Sequence, residues 1–418
     1  MTVHLRTVFR TSTAPRAAVV LLPWLFAYSG RITQWITSGY WESVTAQSSF
    51  LLVFTAPACA ACAAWEAVRV KRSRVLEATP VRPRTVMALS VLLPIFVLGF
   101  LSVVLASALF VPQSSGLPGA SSMAILGMEL LVLAAHTLAG YVAGLTLPGL
   151  LAAPAALVTS WLWMAYPAAM TPLWLRQMNG HNLMECCALN QTVAPRALVA
   201  PALVAVGVII ASLVWISARR LPGRLWAAVT LCVTLVTGAS VAMPLGYEAG
   251  QPRDISALRC SGTVPMVCLW PEQQESGAHI RSWSTEARQR LDAAGVSTAS
   301  TITILSTTPR RDEILALVAS TALPGQPPNC SATGPWPGST AQGTLLAWLM
   351  LTAGADPQSV RGGSVETDIQ TAEQVRRLPR PAQQRWFDHN AATLHGCDLR
   401  PDLDPSHFGR PSGLQAAS

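Results

Sequence analysis

Glu129 and His136, seven residues apart, are the two ionisable side chains that fall inside the long apolar runs of this chain. Such groups are costly in lipid and face a bundle interior or a water-filled path, where they line a route or relay protons. On one helix face, at 1.5 Å per residue, Glu129 would lie about 10 Å below the outer surface and His136 near the midplane. Hydroxyls on neighbouring helices would satisfy the same pair with no transport role.

His181-x3-Glu185 followed by Cys186 and Cys187 approximates a zinc ligand set if helical, but no fourth ligand is evident. Adjacent cysteines more often pair with distant thiols, so disulfides are expected there. Cys59-x-x-Cys62 stands in an alanine-rich run, where thiols pack as small hydrophobes. Asp388, His389, His395 and Asp398 read as a solvated surface. No Gly-x-Ser-x-Gly, His-Glu-x-x-His or paired-carboxylate pattern appears. The expectation is therefore no enzyme, no cofactor and no metal. Lys71 is the only lysine and lies outside any glycine-rich turn, which excludes a phosphate-binding Walker loop. Any nucleotide energy must come from another polypeptide.

The elements that position these residues follow from composition. Of the 418 residues 51% are hydrophobic and 12% charged, whereas about a quarter of a soluble chain is charged. Seven apolar runs suit a bilayer: Ala17–Tyr28, Ser43–Trp65, Val86–Val111, Ser122–Leu147, Leu150–Met170, Ala197–Ser217 and Leu225–Met243. A cleaved signal peptide is the lesser alternative for the first. Pro94, Pro154 and Pro201 should kink their spans. With the N-terminus inside, the inner loops hold Arg6, Arg10, Arg16, Arg69, Lys71, Arg72, Arg74, Arg82, Arg84, Arg219, Arg220 and Arg224. The outer loops hold Arg31, Arg176 and Arg196, so the bias sets the orientation. The net charge of +8 then sits beside apolar spans and orients helices; nucleic acid is not an expected partner.

Seven crossings place Tyr247–Ser418 outside the plasma membrane. Cys186, Cys187, Cys260, Cys268, Cys330 and Cys397 all fall on that side and read as disulfides of an oxidising compartment; Cys59, Cys62 and Cys232 fall in spans. The expected architecture is a polytopic all-α membrane domain of six to seven helices (1–246) and a small α+β extracytoplasmic domain (247–418). In the latter, strand-like Val264–Leu269 and Thr301–Leu305 alternate with helical Ile280–Ala294, Arg311–Leu323, Thr344–Thr352, Glu366–Arg377 and Pro381–His395. Pro401–Ser418 reads as a loose tail.

Glu66–Arg84, Glu-Ala-Val-Arg-Val-Lys-Arg-Ser-Arg-Val-Leu-Glu-Ala-Thr-Pro-Val-Arg-Pro-Arg, is a helix-competent basic stretch after two spans. At this point the chain resembles the membrane subunits of ABC transporters of the ABC-2 (type-2 exporter) class over about residues 1–220. The resemblance implies that Glu66, Arg69, Lys71, Arg72, Arg74, Arg82 and Arg84 form a loop docking on a separate cytoplasmic ATPase. It also implies that Thr171–Arg196 occupies the place of a re-entrant segment, and that the permease works as a homodimer or heterodimer. A seventh span and a large outer domain depart from that pattern. The outer domain is similar to the C-terminal region of permease-like proteins of high-GC bacteria, which supports class and not substrate. Two rival readings stay open: a membrane-anchored receptor or scaffold presenting an outer ligand-binding domain, and an intramembrane enzyme using Glu129 and His136.

Overall fold

Where water is absent every backbone N–H and C=O must be paired within its own segment, so long uncharged apolar runs fold as helices. In this computed structural model the described residues are 10–73, 83–114, 116–218, 220–330 and 336–409. They form two compact units, Met1–Arg253 and Asp254–Ser418.

The first unit is helical: α1 (Ala14–Ile32), α2 (Trp41–Ser48), α3 (Leu52–Arg72), α4 (Arg84–Phe110), α5 (Ala120–Thr146), α6 (Ala152–Ala165), α7 (Pro195–Ser217) and α8 (Leu221–Ala242). A 3₁₀ turn, Ser49–Leu51, joins α2 to α3. Hydroxyls drive that tightening: Thr45 donates to the Trp41 carbonyl (3.0 Å), Ser48 to Thr45 (2.7 Å) and Ser49 to Ala46 (2.7 Å), each competing with the helical ladder.

Five helices among the described residues are long and apolar enough to cross a membrane: Trp41–Arg72, α4, α5, α7 and α8. The expected spans Ala17–Tyr28 and Leu150–Met170 are not among them. Arg16 and Arg31 lie inside the ends of α1 and shorten its apolar stretch. At 14 residues, α6 is about 21 Å long against a hydrocarbon core of roughly 30 Å. Pro94 and Pro201 lie within α4 and α7 as expected. Pro154 instead falls in the first turn of α6, where its missing N–H has no helical partner to lose.

Small residues set the closest contacts. A Cβ added at Gly140 or Gly144 of α5 would fall inside the backbone of Ala60 or Ala64 of α3, so a four-residue glycine repeat faces a four-residue alanine repeat. Such pairs let backbones approach closely enough for dispersion to hold helices in lipid. Gly207 of α7 makes room for the Thr234 side chain of α8. The opposite face of α8 leaves Leu225, Trp226, Val229, Val233 and Val236 exposed, a continuous apolar surface suited to lipid.

Two short strands close this unit, β1 (Gln191–Val193) pairing antiparallel with β2 (Gly250–Pro252). That ladder is why the boundary between units falls after Arg253 and later than the composition change at Tyr247.

The second unit is a small α+β fold. β3 (Arg259–Ser261) runs antiparallel to β4 (Met266–Leu269), which pairs parallel with β5 (Thr301–Thr303). The parallel pair needs a crossover, supplied by α9 (Gly277–Ala293). Then follow α10 (Arg311–Ser320), α11 (Ser339–Ala353), α12 (Pro357–Gly363), α13 (Glu366–Arg376) and α14 (Arg380–Ala392). Their apolar faces converge on Trp348, Trp386, Ile280, Leu315, Ile369 and Leu349. Gly354, at φ +94°, ends α11 in the left-handed conformation open to glycine.

The expectation of a loose tail fails for its first part. Asn390 of α14 bonds Asp402 in both directions, Nδ2 to the carbonyl at 2.8 Å and Oδ1 from the amide at 2.9 Å. Leu403 and Phe408 pack against the core. Residues 410–418 lie outside the described residues.

Candidate functional site

The site grows from α5. His136 Nδ1 lies 2.7 Å from the Ser160 hydroxyl of α6, and both line a cavity of about 390 Å³ walled by α3, α5, α6, α7 and α8. That volume lies at the small end of ligand sites. Alanine, valine and leucine make most of the wall; His136, Ser160, Thr159 and Asn179 are its polar points.

One wall is not helical. Beyond α6 the chain makes three 3₁₀ turns, Tyr166–Ala169, Leu173–Met178 and Asn182–Glu185. Arg176, Gln177, Asn179, His181 and Asn182 in this stretch are at most 4% exposed. Asn179 fastens it: Nδ2 donates to the carbonyls of Met164 (2.8 Å) and Trp163 (3.3 Å), and Oδ1 accepts from the His181 amide and Asn182 Nδ2, both at 3.1 Å. The Arg176 guanidinium lies 3.9 Å above the Tyr247 ring, and Gln177 Nε2 donates to the Tyr247 carbonyl at 3.0 Å. Within the expected re-entrant stretch Thr171–Arg196, the buried polar segment 176–182 is a plug whose Met178 and Asn179 reach the cavity, whereas Pro195 and Arg196 already belong to α7.

Glu129 does not join His136. Its carboxylate is 1% exposed and accepts from Ser48 Oγ of α2 at 2.9 Å, whereas His136 turns to α6. Each group meets a serine of a different neighbour, so the pair forms no relay by direct contact.

The basic stretch is divided by the fold. Glu66, Arg69, Lys71 and Arg72 belong to the last turns of α3, not to a loop, and Arg84 opens α4. Arg74 and Arg82 lie outside the described residues. Glu66 is 5% exposed; Oε1 accepts from the Thr13 amide at 2.7 Å, and Oε2 accepts from Arg69 Nη1 at 3.0 Å. Arg69 also donates to the Thr11 carbonyl at 2.7 Å. Glu66 thereby satisfies an orphan N–H at the start of α1, where a negative charge is favoured. Glu66 is buried, and Arg69, although exposed, is bonded within the subunit; Lys71 and Arg72 are the further exposed charges of that helix end.

Cys186 and Cys187 pair with each other and not with distant thiols, which corrects the sequence expectation; Cys260 pairs with Cys268 across β3 and β4, and Cys330 with Cys397. Cys59, Cys62 and Cys232 are free. Cys59 is buried in the helical core. Among the described residues no three His, Cys, Asp or Glu side chains converge as a metal site; the Glu185 side chain is not among those described.

Sequence reading missed Glu42. It accepts from Ser121 Oγ, from Thr192 Oγ1 at 2.7 Å and from the Val193 amide at 3.2 Å. It therefore ties α2 to the start of α5 and to β1. An acid in the first turn of a helix was the available signal, but its partners lie 79 to 151 residues away.

The profile of a domain of unknown function (DUF7224) matches residues 267–397, inside the second unit. No curated protein and no solved structure matches the chain.

Proposed function

We propose that this chain is the membrane-spanning subunit of an ABC-2-like exporter, driven by a separate cytoplasmic ATPase and working as a homodimer or heterodimer of permeases. One observation carries the reading. α3 walls the cavity at Ala60 and bears exposed Lys71 and Arg72 at its far end, about 17 Å away at 1.5 Å per residue. A partner pushing on that end would move the cavity wall as a rigid rod. Support also comes from the plug. Irregular backbone at membrane depth is tolerated where protein buries it or where it lines a cavity, and this segment does both.

In this reading α1 and α6 complete the crossings to seven, the N-terminus is cytoplasmic and the second unit lies outside the plasma membrane. Three cysteine pairs on the segments assigned to the outside, with free thiols within the helices, support that sidedness.

The test is co-purification of the ATPase from the native host. Lys71→Glu with Arg72→Glu should abolish recovery of the partner while the variant's own yield and unfolding temperature hold. Undiminished recovery, or no ATPase in the wild-type preparation, would overturn the assignment.

A further inference from the structure

The second unit has a cavity of a different chemistry. About 290 Å³ in volume, it lies between α9, α11 and the α13–α14 turn and is lined by Arg290, Arg376, Arg380, Gln383, Trp348 and Thr352, with no carboxylate in its wall. Arg290 is ion-paired with Glu286 at 2.7 Å, but that single carboxylate also serves Arg311 at 2.7 Å. Arg376 and Arg380 form no ion pair with a described carboxylate, so positive charge is in excess.

The turn brings both arginines to the same cavity. Gln383 Nε2 donates to the carbonyls of Arg376 (3.1 Å) and Leu378 (2.8 Å), fastening the end of α13 to the start of α14. Arg380 is the first residue of α14, which has no acid in its first turn and no side-chain cap. A cation at the positive end of a helix opposes the dipole; an anion there would answer both.

A second observation points the same way. Trp348 is 1% exposed, and its indole N–H has no acceptor among the described residues. One turn along α11, the Thr352 hydroxyl is also buried without a partner. Buried donors are rarely left unmade. Here two lie in the wall of a cavity that already carries three guanidiniums.

We propose that this cavity binds a phosphate group. Guanidinium forks match the paired oxygens of phosphate, and the indole and hydroxyl would take the remaining lone pairs. The volume suits a phosphate with a small substituent, whether a soluble phosphorylated molecule or the headgroup of an anionic lipid. The site belongs to the second unit alone and stands or falls separately from the exporter reading.

The test uses the full chain in zwitterionic nanodiscs. Inorganic phosphate and pyrophosphate are titrated calorimetrically against sodium chloride of matched ionic strength, which removes non-specific screening. Parallel discs contain phosphatidylglycerol and no free phosphate, with the unfolding temperature as readout. Heat with the soluble anions assigns a soluble ligand; stabilisation confined to the phosphatidylglycerol discs assigns a lipid headgroup. Arg376→Gln with Arg380→Gln, both at exposed side chains, should weaken binding about tenfold or more. Trp348→Phe keeps a ring against Phe387 and removes the donor; lost core volume lowers its ligand-free stability, and affinity read on the folded variant should fall several-fold. Silence in every arm, or a double-arginine variant that binds like wild type, would overturn the proposal.

Discussion

Glu66 shows how a single carboxylate can be drawn away from the role its neighbours suggest. It stands in a basic stretch, yet two internal partners absorb it, the Thr13 amide and the Arg69 guanidinium. Truncating it would orphan a part-buried N–H and release Arg69. We expect Glu66→Ala to destabilise the subunit by about 1–3 kcal/mol, and Glu66→Gln, which keeps an acceptor, to cost less. Thermal unfolding of the detergent-solubilised variants checks this; equal midpoints for wild type and Glu66→Ala would refute the capping role. The acids and imidazole of the helices follow the same logic. Glu129 with Ser48 and His136 with Ser160 are each answered by a hydroxyl whose position depends on helix packing. Their presence was plain in the sequence, but their separation into two environments was not, because helix spacing constrains direction along α5 and says nothing of which neighbour stands there.

At the scale of elements, the α3–α5 contact governs the cavity. Gly140 has no room for a side chain against Ala60, whereas Gly127 on the same helix has open space around its Cα. Gly140→Leu should force α3 and α5 apart, deform the cavity they wall and lower the unfolding temperature. Gly127→Ala should be neutral or stabilise by up to about 1 kcal/mol, since alanine loses less backbone entropy in a helix. Equal effects at the two sites would show that close approach does not matter. Most long helices and the alternation of strands and helices in the second unit were legible from apolar runs and periodicity. The shortening of α6 was not, because Leu150–Met170 stays apolar past the point where the chain turns into the plug. There Asn179 supplies bonds that replace the helical ladder.

For the whole molecule, the Cys330–Cys397 bond closes a separation of 67 residues within the second unit. Chain-entropy reasoning gives a loop of that length about 4 kcal/mol of stabilisation. Cys330→Ser with Cys397→Ser should therefore bring early proteolysis of the second unit while the apolar helices stay intact, as limited digestion and peptide mapping would show. Unaltered digestion would mean that the core around Trp348 and Trp386 suffices. The arginine-lined cavity bears on the same scale, since a phosphate site in this unit would give the molecule a recognition surface apart from its helical bundle.

By itself the sequence determined the class of solvent for each part of the chain. Charge-free runs, arginine-bearing connections and an acidic, cysteine-bearing remainder are local properties, and the transfer cost of each residue can be summed without a partner. Only the tertiary structure decided which polar groups meet. Glu42 with Thr192, Arg69 with Thr11 and Arg290 with Arg376 in one cavity wall are settled by packing across long stretches of chain. Hydrogen bonds and ion pairs act over a few ångströms, and no periodicity in the chain encodes which distant element will arrive at that distance.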